Sequence, residues 1–205
     1  AGEMEERIEN RIGESSGITV STFHSYCNDL LKEFSLYAGI NQGTRLISQE
    51  HSHVWGINNI DSFGFENIAI PNRPYDLITS LLEGVSQLHD HLVRPQELQE
   101  YVKRELDKAV DEEERDELLK LADLARFFEH YQEYKRNHNF MDYDDMITMT
   151  CWLLESNDVV RNQIRNRDDY VLVDEFQDTN YAQLYLINLI ADGTNLTCVA
   201  DDDQC

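Results

Sequence analysis

Tyr170-Val171-Leu172-Val173-Asp174-Glu175-Phe176-Gln177-Asp178-Thr179-Asn180 decides how the rest of the chain is read. A short apolar run stops at two adjacent carboxylates, as a buried parallel strand does when it delivers an acidic pair to the edge of an open sheet. A second strand is predicted over Leu196-Thr197-Cys198-Val199-Ala200, and it also ends in acid, at Asp201-Asp202-Asp203-Gln204. Between them, Tyr181 to Ala191 predicts a helix with Tyr181, Leu184, Ile187 and Ile190 on one apolar face. Strand, helix and strand in that order form a βαβ unit with a right-handed crossover, and ligands of such sheets bind at the strand C-termini.

Residue chemistry at those termini suits a nucleoside triphosphate. Its Mg²⁺ keeps several waters and needs only one or two carboxylates, so Asp174 can hold the ion through water. Hydrolysis needs a base that orients and deprotonates a water in line with the γ-phosphate, and Glu175 is the candidate. The carboxamide of Gln204, at the end of the adjacent strand, can sense that phosphate by hydrogen bonding. Gln177 and Asp201 complete the nucleotide-associated set. The structural alternative is that this turn only caps the next helix, through Asp178, Thr179 or Asn180. The second acidic strand end, with its glutamine, favours the nucleotide reading.

Asp174-Glu175-Phe176-Gln177-Asp178-Thr179-Asn180 closely resembles motif II of superfamily 1 DNA helicases of the UvrD/Rep type. Val199-Ala200-Asp201-Asp202-Asp203-Gln204 resembles motif III, with Ala200 where the family usually has glycine. Thr19-Val20-Ser21-Thr22-Phe23-His24-Ser25-Tyr26 is similar to the family's Thr-Phe-His-Ser segment, and Met141-Asp142-Tyr143-Asp144-Asp145-Met146 to its Asp-Phe-Asp-Asp segment. Ala1-Gly2-Glu3-Met4-Glu5-Glu6-Arg7-Ile8 is similar to the tail of motif Ia. The five matches follow the family's order, and the Asp-Asp-Asp-Gln form suits UvrD/Rep proteins better than the RecB/AddA nucleases. The resemblance implies an ATP-dependent DNA helicase or translocase moving 3′ to 5′ in repair, replication or recombination. ATP and Mg²⁺ would be its cofactors and single-stranded or duplex DNA its partner. Thr22, Phe23 and His24 would lie on the single-strand path, with Phe23 either stacking on a base or packing in the core.

Departures from the family pattern carry their own expectations. No Gly-x-x-x-x-Gly-Lys-[Ser/Thr] occurs in the 205 residues, so the loop that cradles phosphates is absent from them. In the family it lies just upstream of the segment matching residues 1–8. Cys205 stands where the family usually has serine and continues into a second motor domain. The chain is therefore expected to be an internal fragment, inactive alone. The alternative is a non-catalytic helical interaction or DNA-mimic protein derived from a helicase.

Composition sets broader bounds. A hydrophobic content of 41% with 10% aromatics argues against disorder. No stretch approaches the roughly 20 apolar residues of a membrane span, and no signal peptide is recognisable, so a cytoplasmic location is expected. Cys27, Cys151, Cys198 and Cys205 are scattered and form no C-x-x-C pair, which argues against a metal or disulfide framework. His51 with His53, and His89 with His91, invite a metal reading, but i,i+2 side chains diverge on a helix, and surface histidines are expected. Net charge is −23, and residues 140–205 alone hold 14 acidic against 3 basic side chains. Nucleic-acid binders usually show a basic patch. An acidic surface with 12 arginines to 5 lysines suits either a high-salt source or an ordinary acidic protein.

The fold class expected is α/β and predominantly helical, a partial RecA-like parallel sheet interrupted by an inserted all-helical domain. The division runs 1–34 for the N-terminal motor piece, 35–168 for the helical insertion and 169–205 for the piece carrying motifs II and III. Helices are predicted near residues 3–12, 22–34, 48–58, 75–92, 96–110, 114–136, 142–154 and 159–165, with a short strand at Ile18 to Ser21. The acidic run Asp111 to Glu114 is a solvated helix start. Phe127, Phe128, Tyr131, Tyr134, Phe140 and Tyr143 are read chiefly as core, with stacking on bases as the alternative. Open strand edges near Ile18 and Val171 invite self-association.

Overall fold

A computed structural model describes Arg11 and residues 17–41, 43–191 and 195–201. Helix α1 (Phe23–Glu33) is capped by Thr22, whose Oγ1 accepts the Ser25 amide at 3.2 Å, satisfying one of the donors a first turn leaves open. The short α2 (Ser35–Ala38) ends at Gly39, whose φ of 67° is left-handed and free of a Cβ clash. The segment before α1 corrects the expectation. Residues 18–21 form no strand among the described residues. With no ladder partner, their backbone runs largely exposed into the Thr22 cap. The helix expected over residues 3–12 lies outside the described residues apart from Arg11.

Several of the helices from Ser48 onward start at a capping side chain. They are α3 (Gln49–Asn58), α4 (Tyr75–Asp90), α5 (Pro95–Leu106), α6 (Glu112–Asn137), α7 (Tyr143–Ser156), α8 (Asp158–Arg165) and α9 (Tyr181–Ala191). Ser48 accepts the His51 amide at 3.3 Å, and Asn157 accepts that of Val160 at 3.1 Å. Asp142 and Asp145 form a reciprocal capping box on α7, at 2.9 and 3.0 Å. Glu112, Glu113 and Glu114 occupy the first turn of α6, where carboxylates complement the helix dipole. Where α3 crosses α4, a Cβ on Gly56 would lie 2.7 Å from Ile78 Cγ2, so only glycine permits that approach.

Among the described residues, two hydrophobic cores fill the helical part of the fold. Phe63, Ile78, Leu81, Val85, Phe127 and Phe128 fill the space among α3, α4 and α6, and Leu98, Val102 and Ala125 extend it between α5 and α6. The loop over Gly64 to Ile68 is tied to this core by the buried Asp123 carboxylate, which accepts the amides of Glu66, Asn67 and Ile68 at 2.6–3.2 Å. The second core joins Leu30 and Leu31 of α1, Ile147 and Leu154 of α7, Val160 of α8, and Leu186 of α9. Helices α7 and α8 thus pack with α1 and α9. Cys27 and Cys151 lie in this core as free thiols, and burial pushes the Cys27 thiol up to about 12.

A buried polar seam joins the two cores. Lys135 Nζ lies 2.5 Å from Asp142 Oδ2 and 2.7 Å from Asp145 Oδ2. Burial opposes its charge, but the two carboxylates outweigh burial and hold the ammonium above its ordinary range. Gln132 Nε2 lies 2.9 Å from His89 Nε2 and 3.3 Å from Asp145 Oδ1. Burial, then the Lys135 charge, push His89 down to about 4, while burial and Asp142 raise Asp145 to about 6.

Two surface expectations are overturned here. His89 is 1% exposed, and His53 is buried between the Gln49 carbonyl at 2.8 Å and Thr79 Oγ1 at 3.0 Å. The i,i+2 spacing turns one histidine of each pair inward while His51 and His91 stay exposed. Phe127, Phe128 and Tyr131 are core, whereas Tyr143 is exposed.

Among the described residues, four short strands make two parallel pairs. β1 (Arg45–Leu46) pairs with β2 (Phe140–Met141), Arg45 opposite Phe140, and clasps the two ends of the α3–α6 block. The second pair, β3 (Tyr170–Val173) with β4 (Asn195–Cys198), sets Val173 opposite Cys198. It is the strand pair expected from the opening stretch, but it is not buried on both faces. Val173 packs on Ile187 and Ala191 of α9, while Tyr170 and Leu172 are 67% and 74% exposed. One face of the pair has its helix. The other lies open among the described residues, so the all-round cover usual for parallel strands is missing. The apolar face of α9 is also corrected. Ala182, Leu186 and Leu189 turn to the α7–α8 core and Ile187 to the sheet, leaving Tyr181 and Leu184 exposed.

Candidate nucleotide site and DNA path

The sharp end of β3 is built from backbone first. Val199 N donates to the Val173 carbonyl at 2.8 Å, and Phe176 N donates to the Val199 carbonyl at 2.9 Å. These bonds carry the pairing past the strands and turn the chain back at Asp174 and Glu175. Glu175 sits at φ 49° and ψ 43°, a left-handed conformation that costs a residue with a Cβ about 1 kcal/mol or more. A one-turn 3₁₀ helix, Phe176–Asp178, follows. Backbone strain at an exposed carboxylate is the kind that functional sites retain.

Gln177 locks the two strand ends together. Its Nε2 donates to Glu175 Oε2 at 2.6 Å, and its Oε1 accepts the Asp201 amide at 3.1 Å. One carboxamide thus holds the motif II turn against the start of the motif III acidic run. Asn180 closes the turn from the other side. Its Oδ1 accepts the Gln183 amide at 2.9 Å and Gln183 Oε1 accepts the Asn180 amide at 3.3 Å, a reciprocal cap on α9. Both the capping and the nucleotide readings of the stretch are therefore compatible, since Asn180 caps while Asp174 and Glu175 remain exposed. Gln204, with Asp202 and Asp203, lies outside the described residues.

The donor set at this edge fits Mg²⁺ held by one carboxylate with the rest of its shell from water and phosphate. Among the described residues no cluster of three or more histidine, cysteine, aspartate or glutamate side chains could form an all-protein metal site.

On α1, the Thr22 hydroxyl is exposed but already accepts the Ser25 amide, and it keeps its own proton for a ligand. Phe23 is half-buried and packs against both the α7 core and the β3–α9 core, the packing role of the two considered. His24 meets the Tyr143 ring edge-on at 5.6 Å, so the Thr-Phe-His-Ser and Asp-Tyr-Asp-Asp segments touch in space. Phe23, packed against Val173 and Ile187, also ties the α1 segment to the β3–α9 unit.

The family model for the UvrD/REP helicase N-terminal domain matches residues 1–205. This chain belongs to that family. Among similar UvrD/REP proteins, the ATP-dependent DNA helicase Rep of Salmonella typhimurium is 28% identical over all of this chain and 28% of its own length. The ATP-dependent DNA helicase PcrA of Staphylococcus aureus is 29% identical over all of this chain and 26% of its own length. A probable DNA helicase II homolog of Mycoplasma capricolum is likewise 29% identical over the whole chain and 26% of its own length. The chain spans about a quarter of the length of these curated relatives.

In this UvrD/REP chain the site is held in place by groups whose partners are distant in sequence. Gln177, expected beside the nucleotide, also bridges Glu175 and Asp201. Asn180 Nδ2 reaches Asp90 at the end of α4, and Lys135 supports the Asp142–Asp145 box. A lysine on an aromatic helix face seven residues before Asp142 was the available signal for the last.

Proposed function

We propose that this chain forms the first motor portion of an ATP-dependent DNA helicase or translocase that moves 3′ to 5′ in DNA repair, replication or recombination. The Gln177 clamp carries the reading, because it holds Glu175 beside Asp201 at the neighbouring ends of parallel β3 and β4. In this role Asp174 would hold Mg²⁺ through water, and that ion would offset charge on the triphosphate. Glu175 takes the proton of the attacking water, Gln204 senses the γ-phosphate, and Gln177 and Asp201 keep the edge in register. Thr22 and His24 contact single-stranded DNA, with Phe23 fixing their helix. A cytoplasmic location belongs to the same proposal.

The same proposal keeps the order of motor piece, helical insertion and motor piece, with 1–34, 35–168 and 169–205 as the starting division. Packing supports moving the insertion's ends to the β1–β2 clasp, because α7 and α8 share their core with α1 and α9.

The deciding experiment is ATP turnover by a helicase that contains this segment. Glu175→Gln keeps size and hydrogen bonding, so ATP affinity survives while turnover falls by roughly 10² or more. Near-normal hydrolysis would place the base elsewhere. The 205 residues alone, which hold no Gly-Lys-[Ser/Thr] loop, should show no turnover above background with DNA added. The net charge of −23 favours one second reading, a non-catalytic interaction or DNA-mimic protein, which a phosphate-binding loop in the same polypeptide would rule out. Self-association through the open edge of the β3–β4 pair is proposed for the isolated chain.

A further inference from the structure

At the root of the helical block, where β1 meets β2, Arg45, His51, Tyr134, His138 and Phe140 form one shelf of aromatic and basic groups. Arg45 Cζ lies 5.1 Å over the Phe140 ring. His138 runs nearly parallel to Phe140, 6.3 Å away at 11°, and lies 4.6 Å from Tyr134. His51 stands edge-on to Phe140 at 5.2 Å, with its Nε2 2.9 Å from the Tyr134 hydroxyl. Below, Trp55 stacks on Tyr134 at 4.8 Å and 18°, fixing the shelf to the first core. Arg45, His51 and His138 are exposed, while Tyr134 and Phe140 are half-buried.

From this geometry we infer that the shelf is a stacking platform for the bases of single-stranded DNA. A guanidinium held over an aromatic ring is partly ordered before any ligand arrives, and it can stack on a base and donate its N–H groups to a phosphate. Arg45 makes no ion pair among the described residues. The nearby Asp142 shares Lys135 with Asp145, and Glu133 lies 3.9 Å from Arg136. Arg45 thus sets a permanent cation on the shelf of a chain of net −23. Duplex DNA hides its base faces, so a single strand is the form these planes recognise.

Position argues the same way. Phe140 is three residues from Tyr143, at most about 11 Å of extended chain, and Tyr143 touches His24. A strand of a few nucleotides can therefore reach from the Thr22–His24 segment to the shelf. The inference rests on the DNA path proposed above and extends it onto the helical block.

Ultraviolet cross-linking of the 205-residue chain tests it, using an oligothymidylate of about twelve nucleotides, within the 4–16 of comparable sites, substituted with 5-bromodeoxyuridine. Near 0.1 M salt, peptide mapping should place cross-links at residues 138–140. Arg45→Gln should weaken binding roughly five- to tenfold and flatten the salt slope by about 0.7. Phe140→Leu should remove the cross-link. If that variant does not fold, Arg45→Gln, at an exposed position, decides alone. Binding with cross-links confined to residues 22–24, or unchanged by Arg45→Gln, overturns the shelf and leaves the DNA path standing. No binding at any salt concentration overturns both.

Discussion

Asn180 Nδ2 donates to Asp90 Oδ1 at 2.5 Å, across 90 residues of sequence. This bond stitches the end of α4, in the helical block, to the residue that caps α9 behind the acidic turn. It is a direct link between the block and the strand ends that bypasses the sheet.

Asn180→Ala removes both the cap and the stitch, and should cost about 1–2 kcal/mol in urea denaturation. Asn180→Asp keeps a good cap but sets a carboxylate against Asp90, whose own carboxyl is held above its ordinary range by burial. Its deficit should shrink as acid protonates Asp90. A deficit that stays constant with pH would show that the stitch carries no weight.

Glu175 pays for its left-handed backbone, and two substitutions isolate that cost. Glu175→Gly and Glu175→Ala both lose the bond to Gln177, but only alanine keeps a Cβ at φ 49°. The glycine variant should be more stable by about 1 kcal/mol. Equal urea midpoints would mean that the turn relaxes freely.

Lys135→Met leaves Asp142 and Asp145 facing each other in the seam and should cost about 3–5 kcal/mol. Adding Asp142→Asn and Asp145→Asn should recover much of the loss, since the uncompensated charge and not the packing is at fault. Failure of the triple variant to recover would assign the loss to the lysine's stem.

His89 sets a pH dependence of known sign. Above pH 6.5 its imidazole is neutral in both states and contributes nothing. Between 6.5 and about 4 the unfolded chain takes a proton that the folded chain refuses, so stability falls with pH by up to about 3 kcal/mol. Asp145, raised from 3.8 to about 6, opposes this by binding its proton first in the folded state. His89→Gln removes the first effect, so its stability relative to the parent should rise from pH 6.5 to 4. A difference that does not change with pH would contradict the assignment.

The sequence showed its helices where a capping side chain marked the start, at Thr22, Ser48, Asp142, Asn157 and Asn180. β1 and β2 were invisible because two residues carry no period. Alternation cannot say whether a face has a partner, so Leu172 read as buried when α9 covers only the other side. His53 and His89 misled because i,i+2 spacing separates two side chains without saying which of them turns inward. The acidic strand ends were legible because carboxylates directly after an apolar run have few other uses. The Gln177 bridge was not, since its two partners meet only once β4 lies beside β3.

The open face of β3 and β4 bears on how the chain behaves in a tube. Tyr170, Leu172 and Val199 are all exposed, an adhesive strip that water disfavours. The surplus of carboxylates is its colloidal counterweight, because like-charged copies repel before their strips can meet. That protection is ionic and short in range, so salt weakens it while apolar attraction persists. Light scattering should find the chain monodisperse in dilute buffer and clustering as sodium chloride is raised, the reverse of a protein glued by ion pairs.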